Sequence, residues 1–209
     1  MPRRLRWIAS AVLAAVVAWA LFIQTPAGPR SIREFDADRV ASLEVDMWRA
    51  YYDKRNVQLF ILLTELLREQ RRYPWSKAVT EGFYLARPAA RFARMKGDYE
   101  TVLPDLEQAY AMAKDWTGAT YDTRAVARAE LAWWVARREA ASRSPENVGR
   151  LIADLYAKMY GVPIERVATA GRLRAEAAAL RDETARQPDC PTIATLLQRS
   201  YRDLHAAVH

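Results

Sequence analysis

Apolar side chains recur every three or four residues through almost the whole chain beyond residue 35. No stretch shows the two-residue alternation, bounded by turn residues, that a strand needs. That rhythm predicts an all-α protein: an antiparallel helical bundle of about seven helices over residues 36–209, joined by short connections.

Punctuation residues place the elements. An acidic cap at Asp36 opens a helix running toward Arg72, and Asp53–Asn56 offer a place for it to break. Tyr73-Pro74 ends it, because the residue before proline avoids the helical region. A second helix is expected from Trp75 to Lys96, kinked or split by Pro88. A third follows from Tyr99 to Trp116 and a fourth from Thr123 to Ala141. Ser144-Pro145-Glu146 combines a capping hydroxyl, a proline at the first helical position and an acid on the positive end of the dipole. That fifth helix should stop at Gly161. An Ala-rich helix from Pro163 to about Arg186 and a last one opening at Asp189-Cys190-Pro191 complete the set. The segment MKGDYETVLPDLEQAY has features of a tetratricopeptide pair but no second copy at that spacing, so it counts as chance.

The first thirty residues are different. Trp7–Ile23 is an uncharged run of 17 residues after MPRRLR. As a helix it would extend roughly 26 Å, close to the ~30 Å hydrocarbon core of a bilayer. The basic flank lies on its N-terminal side, which predicts an N-terminus kept in the cytoplasm. The expected layout is a basic cytoplasmic segment at 1–6, a transmembrane anchor or signal peptide at 7–23, a linker at 24–35 and an extracytoplasmic helical domain at 36–209. An uncleaved anchor is favoured because the run exceeds the usual signal-peptide core. Cleavage after Ala20 or Ala27, giving a secreted or periplasmic product, is the alternative.

Charge supports this division. The net charge is +7, yet residues 1–30 hold Arg3, Arg4, Arg6 and Arg30 and none of the 25 acids. Beyond them Arg alternates with Glu and Asp, as on solvated helix faces, so no nucleic-acid partner is expected. One cysteine excludes an intramolecular disulfide and any multi-Cys metal site. The two histidines, His205 and His209, lack the Glu-x-x-His pattern of a di-metal bundle, and no Gly-rich phosphate loop is present. No cofactor is expected.

The chemistry-bearing signal is a set of charges on apolar faces. At roughly 100° per residue from Glu44, the residues Tyr51, Arg55 and Glu69 fall on the apolar arc of the first helix, if that helix is continuous. In the fourth, Glu130 and Arg137 share a face with Trp133 and Trp134, where Arg137 could stack on the indoles. A carboxylate buried without a partner costs several kcal/mol, so it must pair, protonate or bind a ligand. Either these groups neutralise one another across the core, or Glu44, Tyr51, Arg55, Glu69, Glu130, Trp134 and Arg137 line a ligand pocket. The expected function is a membrane-anchored extracytoplasmic binding or scaffold protein, held to the membrane by residues 7–23 and meeting a protein partner in the cell envelope. Two alternatives are an enzyme using the Glu/Arg/Tyr set on a small or lipid-like substrate, and an accessory subunit of a larger membrane complex.

Overall fold

The computed structural model describes residues 3–19, 28–183 and 191–209. Among them the chain is all-α, without strands. The helices are α1 (Arg3–Ala18), α2 (Ala37–Tyr52), α3 (Asn56–Arg71), α4 (Trp75–Phe92), α5 (Leu103–Thr117), α6 (Thr123–Arg138), α7 (Pro145–Tyr160), α8 (Ile164–Glu183) and α9 (Pro191–Val208), with a 3₁₀ turn at Tyr99–Val102 before α5.

Local chemistry sets most boundaries where the sequence placed them. Asp36 caps α2 by accepting from the Arg39 amide at 2.9 Å, and Asp122 caps α6 by accepting from that of Ala125 at 2.8 Å. Ser144 caps α7, with Pro145 at its first position and left-handed Gly161 beyond its end. The long first helix breaks inside the Asp53–Asn56 segment where the sequence offered a break, because Lys54 takes a left-handed φ of 58° and the Arg55 amide reaches back to Ala50 O at 2.8 Å. Two differences stand out. α4 continues across Pro88, whose ring is buried, rather than splitting there. α6 stops at Arg138, as Glu139 turns extended. Arg186, Asp189 and Cys190 lie outside the described residues.

The large apolar core is built from α5 to α9 with Ala41 of α2. Its closest contact is between α7 and α8, where Gly149 and Gly171 let the backbones touch. A Cβ on Gly171 would come within 2.8 Å of the Ala153 amide nitrogen, and one on Gly149 within 2.9 Å of Arg172 Cα. A second, smaller cluster of Leu67, Tyr73 and Ala78 joins α3 to α4. Beside it the buried carboxylate of Glu81 is bonded by Arg71 and by the Tyr73 hydroxyl, and the Trp116 indole N–H donates to Arg71 O at 2.8 Å.

Helix α1 covers only part of the expected span. Its side chains from Trp7 onward are solvent-exposed. Among the described residues no helix is long and apolar enough to cross a membrane. The transmembrane helix expected over 7–23 is therefore not supported, and its last four residues lie outside those described.

Candidate functional site

All eight helices from α2 to α9 contribute to one cavity of about 630 Å³. Its walls are largely apolar, with Leu59, Leu63 and Leu66 of α3, Leu85 and Phe92 of α4 and Met159 of α7. Three carboxylates line it, each set on a different helix: Glu44 on α2, Glu130 on α6 and Asp182 on α8.

Glu44 is held by two partners. Arg174 of α8 donates to Oε1 from Nε at 3.0 Å and from Nη2 at 2.7 Å, and the Tyr201 hydroxyl of α9 donates to Oε2. Burial opposes the charge on Arg174, but Glu44 outweighs it and raises the guanidinium pKa well above its usual value. Burial pushes the Tyr201 hydroxyl up strongly. Arg174 also lies over the Trp133 ring at 5.3 Å.

Asp182 is bound by Arg137 of α6, from Nε at 2.9 Å and Nη2 at 2.8 Å, and by the Tyr52 hydroxyl. Arg137 stacks on Trp48 at 5.7 Å rather than on the two indoles of its own helix. Two turns of α8 thus carry the counter-ions for two other helices.

Glu130 is different. Its Oε1 accepts from the Trp134 indole N–H at 2.9 Å and its Oε2 from the Tyr110 hydroxyl at 3.1 Å. Among the described residues no cation lies within ion-pair distance of it, and the Arg174 guanidinium feels its charge only at longer range. Burial first, then the nearby Glu130 charge, pushes the Tyr110 hydroxyl well above its usual range, so the phenol stays a donor.

The structure brings Glu44, Tyr51, Glu130, Trp134 and Arg137 to this cavity. It does not bring Arg55 or Glu69. The break at Lys54 rotates α3 relative to α2, so the common arc does not exist beyond it. Arg55 faces solvent with Asp53 and Gln58, both at 2.7 Å. Glu69 lies on the outside of α3, where Arg39 donates to it at 2.7 Å and holds its carboxyl below the usual value. Of the charges expected to neutralise one another across the core, Glu44 and Arg137 are paired between helices, but by Arg174 and Asp182 rather than within the expected set.

Sequence reasoning missed Arg174, Asp182, Tyr52 and Tyr110. For Arg174 a signal exists. Val167, Ala170, Gly171, Ala177, Ala178 and Arg181 form one stripe of the buried surface of α8, which also includes Leu173 and Ala175, and position 174 falls in its three- and four-residue spacing. Arg181, on the same stripe, lies over the Tyr52 ring at 4.4 Å.

Among the described residues no group of three or more His, Cys, Asp or Glu gathers as a metal centre. His205 packs edge-on against Phe35 at 5.2 Å and stacks on His209 at 4.2 Å. Set beside family models, curated proteins and solved structures, the chain matches none.

Proposed function

We propose that this chain is a binding protein whose central cavity takes an amphipathic small molecule, with its apolar chain against α3 and α4 and a hydrogen-bond-donating head at Glu130. The observation that carries this is the asymmetry among the three cavity carboxylates. Glu44 and Asp182 each hold an arginine, whereas Glu130 holds only two neutral donors. A half-buried carboxylate so placed gains from an ammonium or hydroxyl delivered by a ligand. The volume of about 630 Å³ lies in the range of roughly 300–1,000 Å³ usual for small-molecule sites.

Displacement of Nile red by single-chain amphiphiles tests the reading. Dodecylamine and dodecanol should displace the dye at least about tenfold better than dodecanoate, a difference of ~1.4 kcal/mol. Glu130→Gln should remove that preference. Failure of all three to displace the dye, or an unchanged preference in Glu130→Gln, refutes it.

The catalytic alternative makes Glu130 a general base. It rests on the same carboxylate but has less behind it, because arginines occupy Glu44 and Asp182. For location, the proposal keeps residues 7–23 as a membrane anchor, with the bundle outside the cytoplasm. Its support is the exposed apolar surface of Trp7, Ile8, Val12 and Leu13, and it requires the helix to extend through residues 20–23. Extraction with alkaline carbonate tests it: an anchored chain stays with the lipid pellet, and a chain released into the supernatant has no anchor. A role as an accessory subunit, or as a scaffold for an envelope protein, uses the same tether.

A further inference from the structure

We infer that the solvent face of α4 seats on an anionic lipid surface, its aromatic stripe entering the headgroup layer and an adjoining arginine pocket taking a lipid phosphate. This concerns a surface outside the central cavity and does not rest on what that cavity binds or on whether α1 spans a bilayer.

Two observations meet on this helix. The first is an exposed apolar stripe. Trp75, Val79 and Phe83 are 36%, 41% and 48% exposed, one turn apart on α4, and Ile61 and Val57 of the packed neighbour α3 are 58% and 76% exposed. Each could have been polar at no cost to the core. The second is a surface pocket of about 370 Å³ lined by Arg87, Arg91, Arg94 and Thr101 with Ala90 and Met95. At roughly 100° per residue Arg87 and Arg91 occupy the arc directly beside the stripe, and Arg94 follows just past the end of the helix. Asp105 holds Arg87 in place, accepting from its Nε at 2.7 Å. Arg91 and Arg94 have no ion-pair partner among the described residues.

The charges choose the occupant. Elsewhere Arg alternates with acids, but the one acid between residues 75 and 96 is Glu81, buried and engaged by Arg71 and Tyr73. A second copy of the chain docked through this face about a two-fold axis would set arginine against arginine. Duplex nucleic acid would satisfy the arginines and leave the aromatic stripe in water, and bases of a single strand could stack on Trp75 and Phe83 but would leave Val79, Val57 and Ile61 without a ring partner. Tryptophan and phenylalanine on one arc with arginine on the next is the arrangement of a helix lying in a lipid interface, and anionic headgroups reward the basic rim.

The experiment uses the full chain with Cys190→Ser and Val79→Cys, labelled at the new thiol with an environment-sensitive nitrobenzoxadiazole dye. A parallel Val12→Cys sample reports α1 separately. On vesicles of phosphatidylcholine mixed with phosphatidylglycerol, the Val79 probe should shift to the blue, and on phosphatidylcholine alone it should not. Arg91→Glu with Arg94→Glu should weaken the response about tenfold or more, with circular dichroism and melting temperature unchanged. Phe83→Ser should also weaken it without changing the fold. No shift of the Val79 probe, whatever the Val12 probe does, overturns the inference. So does an equal shift on neutral vesicles, or one indifferent to the arginines. Loss of the response to millimolar inorganic phosphate at constant ionic strength would mark a soluble-anion site instead. Crosslinking between Val79→Cys chains would mark a contact between copies.

Discussion

The two sides of the bundle solve the burial problem in opposite ways. Between α7 and α8, Gly149 and Ala153 meet Gly171 and the backbone of Arg172, so the backbones themselves approach. The Ser200 hydroxyl of α9 then donates to Ala170 O at 2.8 Å, closing the third helix onto the pair. Between α3 and α4 only Leu67, Tyr73 and Ala78 form a buried apolar cluster, supplemented by the ionic bond of Arg71 to Glu81. The larger apolar residues of that side line the cavity or face solvent. Strong amphipathicity is thus no guarantee of tight packing. Small residues close an interface, whereas large ones on α3 and α4 leave surface free for something outside the chain.

The comparison predicts first that alkali attacks the closed side hardest. Burial pushes the Tyr121 and Tyr156 hydroxyls up to about 12, and raises Tyr110, Tyr160 and Tyr201 as well. On α3, α4 and the link between them only Tyr73 is so raised. A raised folded pKa means that the unfolded chain releases its proton first. The stability is whole below pH 10 and is lost as pH climbs toward 12. Tyr121 and Tyr156 alone withdraw about 5 kcal/mol by pH 12. Phenolate absorbance at high pH should rise together with loss of helical circular dichroism. A gradual rise that precedes unfolding would mean that these hydroxyls reach water in the folded state.

Removing a carboxylate from each side sharpens the contrast. Glu44→Ala strands Arg174, which keeps a hydrogen bond to the Tyr156 hydroxyl at 3.4 Å and the more distant charge of Glu130. An uncompensated buried charge costs about 3–5 kcal/mol, and the melting temperature should fall by roughly 10 °C. Glu81→Ala strands Arg71, which is more exposed than Arg174 and can regain water. Its cost should be about 1–3 kcal/mol, with amide exchange quickening mainly in α3 and α4. A larger loss from Glu81→Ala would reverse the ranking of the two sides.

How far the sequence could be read follows the same division. The caps at Asp36, Asp122 and Ser144 are local chemistry, and the helices begin at them. The cavity residues Glu44 and Tyr51 precede the break in the first long helix, so projection along one axis placed them together. Arg55 and Glu69 follow it, and the same projection misplaced them. Asp53–Asn56 offers a place for a break, but Lys54 adopts its left-handed turn without being glycine or asparagine, so the sequence does not show that the axis must change there. The partner of Glu44 lies 130 residues away on α8, and no single-helix pattern pairs the two. That α8 carries an arginine on a stripe of small residues is legible. That arginine meets Glu44 because α9 packs on both α8 and α2, while α8 itself is seated by the close approach of Gly171 to Gly149 on α7.

That approach can be broken directly. Gly171→Ala sets a methyl group against the backbone of α7, within 2.8 Å of the Ala153 amide nitrogen, and neither backbone can yield as a side-chain tip would. Overpacking of this kind costs about 1–3 kcal/mol. Gly97→Ala meets nothing within 4 Å and is the control. If Gly171→Ala melts like Gly97→Ala, the two helices are farther apart in solution and the closed side is not closed.

The smallest effect belongs to the open side. Val79→Ser and Phe83→Ser remove apolar atoms from positions already 41% and 48% exposed. Surface changes of this sort move stability by no more than about 0.5 kcal/mol, too little to register beside Glu44→Ala. Denaturant unfolding of each variant in lipid-free buffer measures it. A loss several times larger would mean that these side chains are covered by part of this chain or by a second copy, and the face of α4 would then belong to the core rather than to a lipid surface.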